Sequence, residues 1–172
     1  MTERKGNIMK KKPVVSVVMG SDSDVPVMTE TSAMLKRFGV PHEVRIFSAH
    51  RSPEKTSAFA KAAKKRGVKV IIAGAGGAAH LAGVIAAHTV LPVIGVPMET
   101  KLDGIDSLLS TVQMPSGVPV ATVSIGKAGA VNAAILAAQI IGTNSGPVTE
   151  KLRAYKKELV RKIEAKNRRI RS

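Results

Sequence analysis

The sequence predicts an α/β protein: a five-stranded parallel sheet with helices on both faces. Three observations carry that prediction. Short Val- and Ile-rich runs of strand length alternate with segments whose apolar residues recur at helical spacing. The strand runs are almost continuously apolar, as strands buried on both faces require. Their strict alternation with helices favours crossover connections and parallel pairing. The 172 residues fit one domain of ordinary size, about 100–200 residues, with a real core.

Each element has its own signals. Residues 1–12 read as a flexible basic lead-in, 13–144 as the α/β domain and 145–172 as a basic helical tail. Residues 13–19 (PVVSVVM) form the first strand, broken at Gly20-Ser21-Asp22-Ser23-Asp24. Asp24 is the expected cap of the next helix, with Pro26 near its first turn. Val27, Met28, Thr31, Met34, Leu35 and Phe38 mark the buried face of that helix, and Gly39 stops it. Residues 42–47 alternate in polarity and read as a strand nearer the sheet edge. Ser52 and Pro53 open the second helix, with Ala58, Phe59, Ala62 and Ala63 as its narrow apolar face and Gly67 as its end. Strands are expected at 68–73, 92–96 and 119–125, and helices at 81–89, 105–114 and 127–141. Ser145-Gly146-Pro147 reads as a joint. Beyond it Leu152, Tyr155, Leu159 and Ile163 mark one face of a last helix, laid on the domain or on a neighbouring subunit.

Composition narrows the function. Hydrophobic residues make 44% of the chain and aromatics only 2%, so the core is built from aliphatic side chains. There is no Cys, hence no disulfide, thiolate nucleophile or Cys-based metal site. No apolar span approaches the ~20 residues a membrane helix needs. No signal-peptide core precedes the domain, so a cytoplasmic protein is expected. The net charge is +15, but it lies mostly at the ends: +4 in residues 1–12 and +7 in residues 145–172. With one Tyr and no Trp there is no aromatic platform for bases, and specific nucleic-acid binding is not expected.

In a doubly wound sheet, chemistry collects beyond the carboxyl ends of the strands. Three loops meet there. In Ser48-Ala49-His50-Arg51, the Arg51 guanidinium offers a planar fork for phosphate, and His50 can give and take a proton. The alternative is that Arg51 pairs with a nearby acid and His50 caps a helix. In the first loop, Ser21 and Ser23 suit phosphate and Asp24 suits ribose hydroxyls; plain helix capping fits as well. Gly74-Ala75-Gly76-Gly77-Ala78-Ala79 nominally matches the G-x-G-x-x-A dinucleotide fingerprint, with Glu99 near the expected acidic position. That gives a competing reading as a dinucleotide-dependent oxidoreductase, although the fingerprint belongs on the first turn. Otherwise the glycines bring bare backbone N–H groups to a small anion or to carbon dioxide, with Ala75, Ala78 and Ala79 keeping the pocket narrow and dry. His80 lines the site or caps a helix; His42 and His88 read as structural. The four His residues lack spacing for a metal site.

These segments together resemble one family. VMGSDSD (18–24), SAHRSP (48–53), AGAGGAAHL (73–81), DSL (106–108), QMP (113–115) and IGKAGA (125–130) are similar, in matching order, to class I N5-carboxyaminoimidazole ribonucleotide mutases. The resemblance runs from about residue 13 to 142. It implies a three-layer αβα sandwich with a five-stranded parallel flavodoxin-like sheet, plus a C-terminal helix. It implies an isomerase of de novo purine biosynthesis that acts on a ribonucleotide without metal or organic cofactor. By motif, His50 is the general acid–base. Ser21 and Asp24 bind substrate, Arg51 its phosphate, and Ser23 and Ser48 assist. Gly76, Gly77, Ala78 and His80 form the base and carboxylate pocket, a closed cavity that retains carbon dioxide. The resemblance also implies a homo-octamer with sites at subunit boundaries. Arg51 favours class I over class II enzymes, which carboxylate aminoimidazole ribonucleotide directly. Two departures stand out: Ala82 where the family has Pro, and Ser52 where Thr is usual.

Overall fold

All five strands run parallel, in the order β2-β1-β3-β4-β5. The computed structural model describes residues 12–170; most of the basic lead-in lies outside them. The strands are β1 (Val15–Met19), β2 (His42–Ile46), β3 (Val70–Ala75), β4 (Val93–Pro97) and β5 (Ala121–Thr122). The helices are α1 (Val25–Phe38), α2 (Pro53–Ala63), α3 (Leu81–Ala87), α4 (Ile105–Val112), α5 (Gly126–Gly142) and α6 (Gly146–Ile170). Strand order reverses between β1 and β3, so the connections leave the sheet on opposite faces there and open a crevice.

Two apolar layers form because successive side chains of a strand point to opposite faces. Val15, Val17 and Met19 join Val70, Ile72, Ile94 and Val96 under α1 and α5. Val18, Ile71, Ala73 and Val93 pack under α2 and α3. Each such Val, Ile, Leu, Met or Phe contributes about 1.5–3 kcal/mol when fully buried. The buried face of α5 is small throughout: besides Gly126 and Gly129 it carries Ala130, Ala133, Ala134, Ala137 and Ala138, which have no exposed surface. These small residues let α1 and α5 approach closely, and buried Thr31 Oγ1 donates to Ala130 O at 2.9 Å.

The first helix keeps its expected face, with Met28, Thr31, Leu35 and Phe38 buried. Gly39 ends it in the left-handed region, φ 71°, a conformation that favours glycine. Four expectations shift. The buried face of α2 is Thr56, Phe59, Ala60 and Ala63, while Ala58 is exposed. Thr56 faces inward, its hydroxyl within reach of Ser52 O at 3.0 Å and Ser48 O at 3.2 Å. β3 starts two residues late, because Val68 N–H closes the preceding helical turn on Ala63 O. β5 shrinks to two residues paired with Ile94 and Gly95; Pro119 has no N–H for a longer ladder. α6 starts at Gly146, with Pro147 inside its first turn, so the expected joint belongs to the helix.

The first half of α6 lies on the domain. Val148 is buried, and Leu152 and Tyr155 pack against the α1/α5 layer. Tyr155 meets Phe38 edge-on at 5.6 Å between centroids and 87° between planes. Arg37 lies over the Tyr155 ring at 4.7 Å and pairs with Glu158. Beyond that point Leu159, Val160 and Ile163 are exposed. Two further apolar faces are open to solvent: Val44 and Ile46 on edge strand β2, and Leu102, Ile105, Leu109 and Val112 on and beside α4.

Candidate active site

The crevice is built from the loops that follow β1, β2, β3 and β4. After β1, residues Asp22–Asp24 make a single 3-10 turn. Ser21 Oγ accepts from Ser23 N–H at 3.3 Å, and Ser21 N–H donates to Asp24 Oδ2 at 3.2 Å. This reciprocal box satisfies both ends of the turn. Asp24 was expected to cap α1 through its side chain, but it makes no such bond. Its carboxylate is held in the loop by the Ser21 amide. Burial raises its carboxyl above the ordinary value, against the hydrogen bonds from Ser21 and Ser23 that favour the charged form.

After β2, Ser48 organises the turn. Its Oγ accepts from Arg51 N–H at 3.1 Å and from Arg51 Nε at 3.5 Å. Ser52 stands at the N-cap position of α2 without capping the helix amides. Its hydroxyl instead donates to Ser48 O at 3.0 Å and accepts from Ser48 N–H at 3.1 Å. The Ser52 departure from threonine therefore leaves the hydroxyl with local work. Arg51 Nη2 donates to Gly20 O at 3.3 Å, so the guanidinium spans the first and second loops. No salt bridge to Arg51 forms among the described residues. The remaining N–H donors of its fork are available to an anion.

After β3, His80 stands at the N-cap position of α3 and makes no side-chain cap. Its ring goes to the second loop: His50 Nε2 lies 2.8 Å from His80 Nδ1. The ring planes are 84° apart. One nitrogen donates and the other accepts, so a single proton bridges the rings. Ala82 is buried inside α3, its Cβ turned toward Gly95 of β4. Of the other histidines, His42 has the structural role expected of it. His42 Nδ1 lies 3.0 Å from Val40 O and its Nε2 2.7 Å from Ser32 Oγ. A carbonyl accepts only, so Nδ1 carries the proton and Nε2 accepts from Ser32. His88 terminates α3.

All ten residues singled out from the sequence line one cavity of about 510 Å³: Ser21, Ser23, Asp24, Ser48, His50, Arg51, Gly76, Gly77, Ala78 and His80. Of the fourth loop, sequence reasoning named only Glu99, and for the dinucleotide reading. Met98, Glu99 and Thr100, after β4, also line the cavity; the rule that gathers loops at strand carboxyl ends already pointed to them. One expectation is corrected: Ala79 is buried in the protein interior rather than lining the pocket. In the single chain the cavity is an open cleft, with His50, Arg51, Gly76, Ala78 and His80 all exposed. The dinucleotide reading loses its footing as well. The glycine loop follows the third strand. Gly76 lacks a Cβ for an internal reason, since one there would meet Thr100 Cγ2 at 2.8 Å. Gly77 N–H is spent on Ser107 Oγ at 2.9 Å.

Fold and site together define a doubly wound α/β protein with a cleft at its topological switch point, lined by Arg51 and by the paired rings of His50 and His80. The chain belongs to the AIR carboxylase family, whose match spans residues 14–162. It is 57% identical over 165 residues to the N5-carboxyaminoimidazole ribonucleotide mutase of Pyrococcus horikoshii, covering 95% of this chain and 92% of that one. Against the mutase of Thermotoga maritima it is 52% identical over 159 residues, covering 92% of each. The crystal structure of Treponema denticola PurE shares the fold with a TM-score of 0.84 and 28% identity, over 93% of this chain and 99% of that chain.

Proposed function

We propose that this protein is an N5-carboxyaminoimidazole ribonucleotide mutase of purine biosynthesis, moving a carboxylate from the exocyclic nitrogen of the substrate to C4 of its imidazole. The observation that carries the reading is the convergence of Arg51 and the His50–His80 pair on one cleft floored by Gly76–Ala78. An anion anchor, a proton carrier and a side-chain-free floor are the three things the reaction needs. The close mutase relatives favour this over direct carboxylation of aminoimidazole ribonucleotide.

The roles are those the family resemblance implies, and the arrangement of the cleft supports them. Arg51 takes the 5′-phosphate, with Ser21, Ser23 and Ser48 around it. Asp24 accepts from the ribose hydroxyls. The carbamate nitrogen loses carbon dioxide and gains a proton from His50. C4, nucleophilic because the amino group feeds the ring, then attacks the carbon dioxide. His50 removes the C4 proton, and aromaticity returns. One proton is given and one taken back, so the protein ends as it began. His80 holds the His50 ring and shares its proton. Carbon dioxide stays near C4 only while the cleft is covered.

That covering supports a further part of the reading: a homo-oligomer, an octamer as in the family resemblance, with neighbouring subunits over the open cleft. The half-exposed apolar side chains on β2 and α4 suit subunit contact. Residues 13–144 act as the catalytic unit and 145–172 as a basic tail. A cytoplasmic location fits, and no helix among the described residues is long and apolar enough to cross a membrane. The test runs from the stable product. 4-Carboxyaminoimidazole ribonucleotide is mixed with the pure protein, without nucleotide, and its ultraviolet band followed. A protein-dependent fall that His50→Asn abolishes supports the assignment; no change at high protein concentration overturns it.

A further inference from the structure

Beyond the cleft itself, the buried side of α4 is tied to the glycine loop by hydroxyl groups. Ser107 is fully buried, and its Oγ accepts from Gly77 N–H at 2.9 Å. Gly77 sits in the left-handed region, φ 63°. Its carbonyl accepts from Ala79 N–H at 2.8 Å and lies 3.3 Å from Ser110 Oγ. Behind Ser107 stands Asp106. Its carboxylate accepts from Thr100 Oγ1 at 2.6 and 2.8 Å. Hydrogen bonds from Thr100, first, and then from the Ser107 amide and hydroxyl hold this carboxyl below its ordinary range. Asp106 is thereby fixed to the loop after β4, next to Ser107 in the first turn of α4.

The effect on the cleft is selective. The N–H groups of Gly76 and Ala78 make no backbone or side-chain hydrogen bond among the described residues. The amide between them is withdrawn by Ser107. Both residues line the cleft on either side of the anchored Gly77, and their amides have no partner among the described residues. We infer that Ser107, backed by Asp106, is a positioning residue that aims the Gly76 and Ala78 amides at the migrating carboxylate, and that it governs how well carbon dioxide is kept between its departure from nitrogen and its capture by C4. This inference rests on the mutase reading. Ser107 touches no substrate; it acts through the loop.

The experiment uses the full chain turning over in buffer equilibrated with ¹³C-labelled carbon dioxide. It reads the label in the product 4-carboxylate beside kcat and KM. A retained carbon dioxide excludes label; a leaking one admits it. Ser107→Ala is expected to lower kcat roughly 10- to 100-fold, the scale of a displaced reacting group. KM should stay within about threefold because Arg51 and its neighbours are untouched, and the labelled fraction should rise several-fold. Ser107→Thr, which keeps the hydroxyl, is expected to restore low labelling. Asp106→Asn removes the charge without opening a cavity and is expected to raise labelling in the same direction, so the inference stays testable if Ser107→Ala does not fold. Folded Ser107→Ala and Asp106→Asn proteins with wild-type labelling and kcat overturn the positioning role. A wild-type protein with no turnover overturns instead the mutase reading beneath it.

Discussion

His50 Nε2 and His80 Nδ1 stand 2.8 Å apart, each ring carried by a different loop. The pair holds one bridging proton when neutral and takes one more when charged. A doubly charged pair would set two N–H donors against each other and break the contact. The contact lets a proton be shared between the two rings, which suits the acid–base role proposed for His50.

His50→Asn is therefore expected to reduce kcat by at least about 100-fold, the usual contribution of a positioned acid–base group. Binding of aminoimidazole ribonucleotide, measured by calorimetry, should change little, because the phosphate contacts remain. His80→Asn should alter the pH profile of kcat more than its maximum. A His50→Asn protein with near-normal turnover would remove His50 from the chemistry.

Arg51→Ala should act on binding. A hydrogen bond to a charged group is worth about 1.5–3 kcal/mol, so KM should rise roughly 10- to 150-fold with a smaller change in kcat. Arg51→Lys should recover only part of this, since an ammonium cannot form the planar fork. Equal KM values for the three proteins would place the phosphate elsewhere.

Asp24 sets stability against function. Burial raises its carboxyl in the fold, so the folded protein holds that proton more tightly than the unfolded chain. The sign follows: stability falls as pH rises from the ordinary carboxyl value, 3.8, through the raised one, and the penalty is fully present at neutral pH. Asp24→Asn keeps an oxygen for the Ser21 amide and drops the charge. Its Tm at pH 7 should match or exceed that of the wild type while KM rises. A clear loss of Tm at pH 7, with no change in KM, would contradict both halves.

Glu43 behaves in the opposite sense. Burial pushes its carboxyl up, but hydrogen bonds from Arg66, Ser16 and Arg45 outweigh this and bring it below 4.5. Arg66 Nη2 lies 2.7 Å from Oε1, and Ser16 donates to the same oxygen at 2.7 Å. Stability from this group is present above the unfolded value and is lost as pH falls through the lowered folded one. Glu43→Gln should lower Tm at pH 7 by roughly 3–10 °C and flatten the acid limb of stability. An unchanged acid limb would show that the cluster carries no such linkage.

The helical and strand periods, the strand–loop–helix corners and the Gly39 stop were legible in the sequence because each is local. So was the membership of the cleft: three loops named from residue chemistry meet as expected. What escaped depends on neighbours. Nothing in the spacing of α2 says that Thr56, not Ala58, turns inward, its hydroxyl within reach of Ser48 O. Ser52 and Asp24 look like helix caps in isolation, yet a closer donor or acceptor in the loop takes each side chain. The roles of Thr100, Asp106 and Ser107 depend on one loop lying over another, 30 residues away in sequence for Ser107 and Gly77.

The aromatic poverty of the chain has an optical consequence. With no Trp and a single Tyr, intrinsic emission comes from one ring, Tyr155, wedged between Phe38 and Arg37 where α6 meets α1. Fluorescence excited near 280 nm is thus a reporter of that joint alone. Detachment of α6 should alter its intensity and anisotropy while the sheet stays folded and silent. The same poverty leaves a transparent ultraviolet window, in which the absorbance of a carboxylated imidazole can be followed at high protein concentration against almost no background.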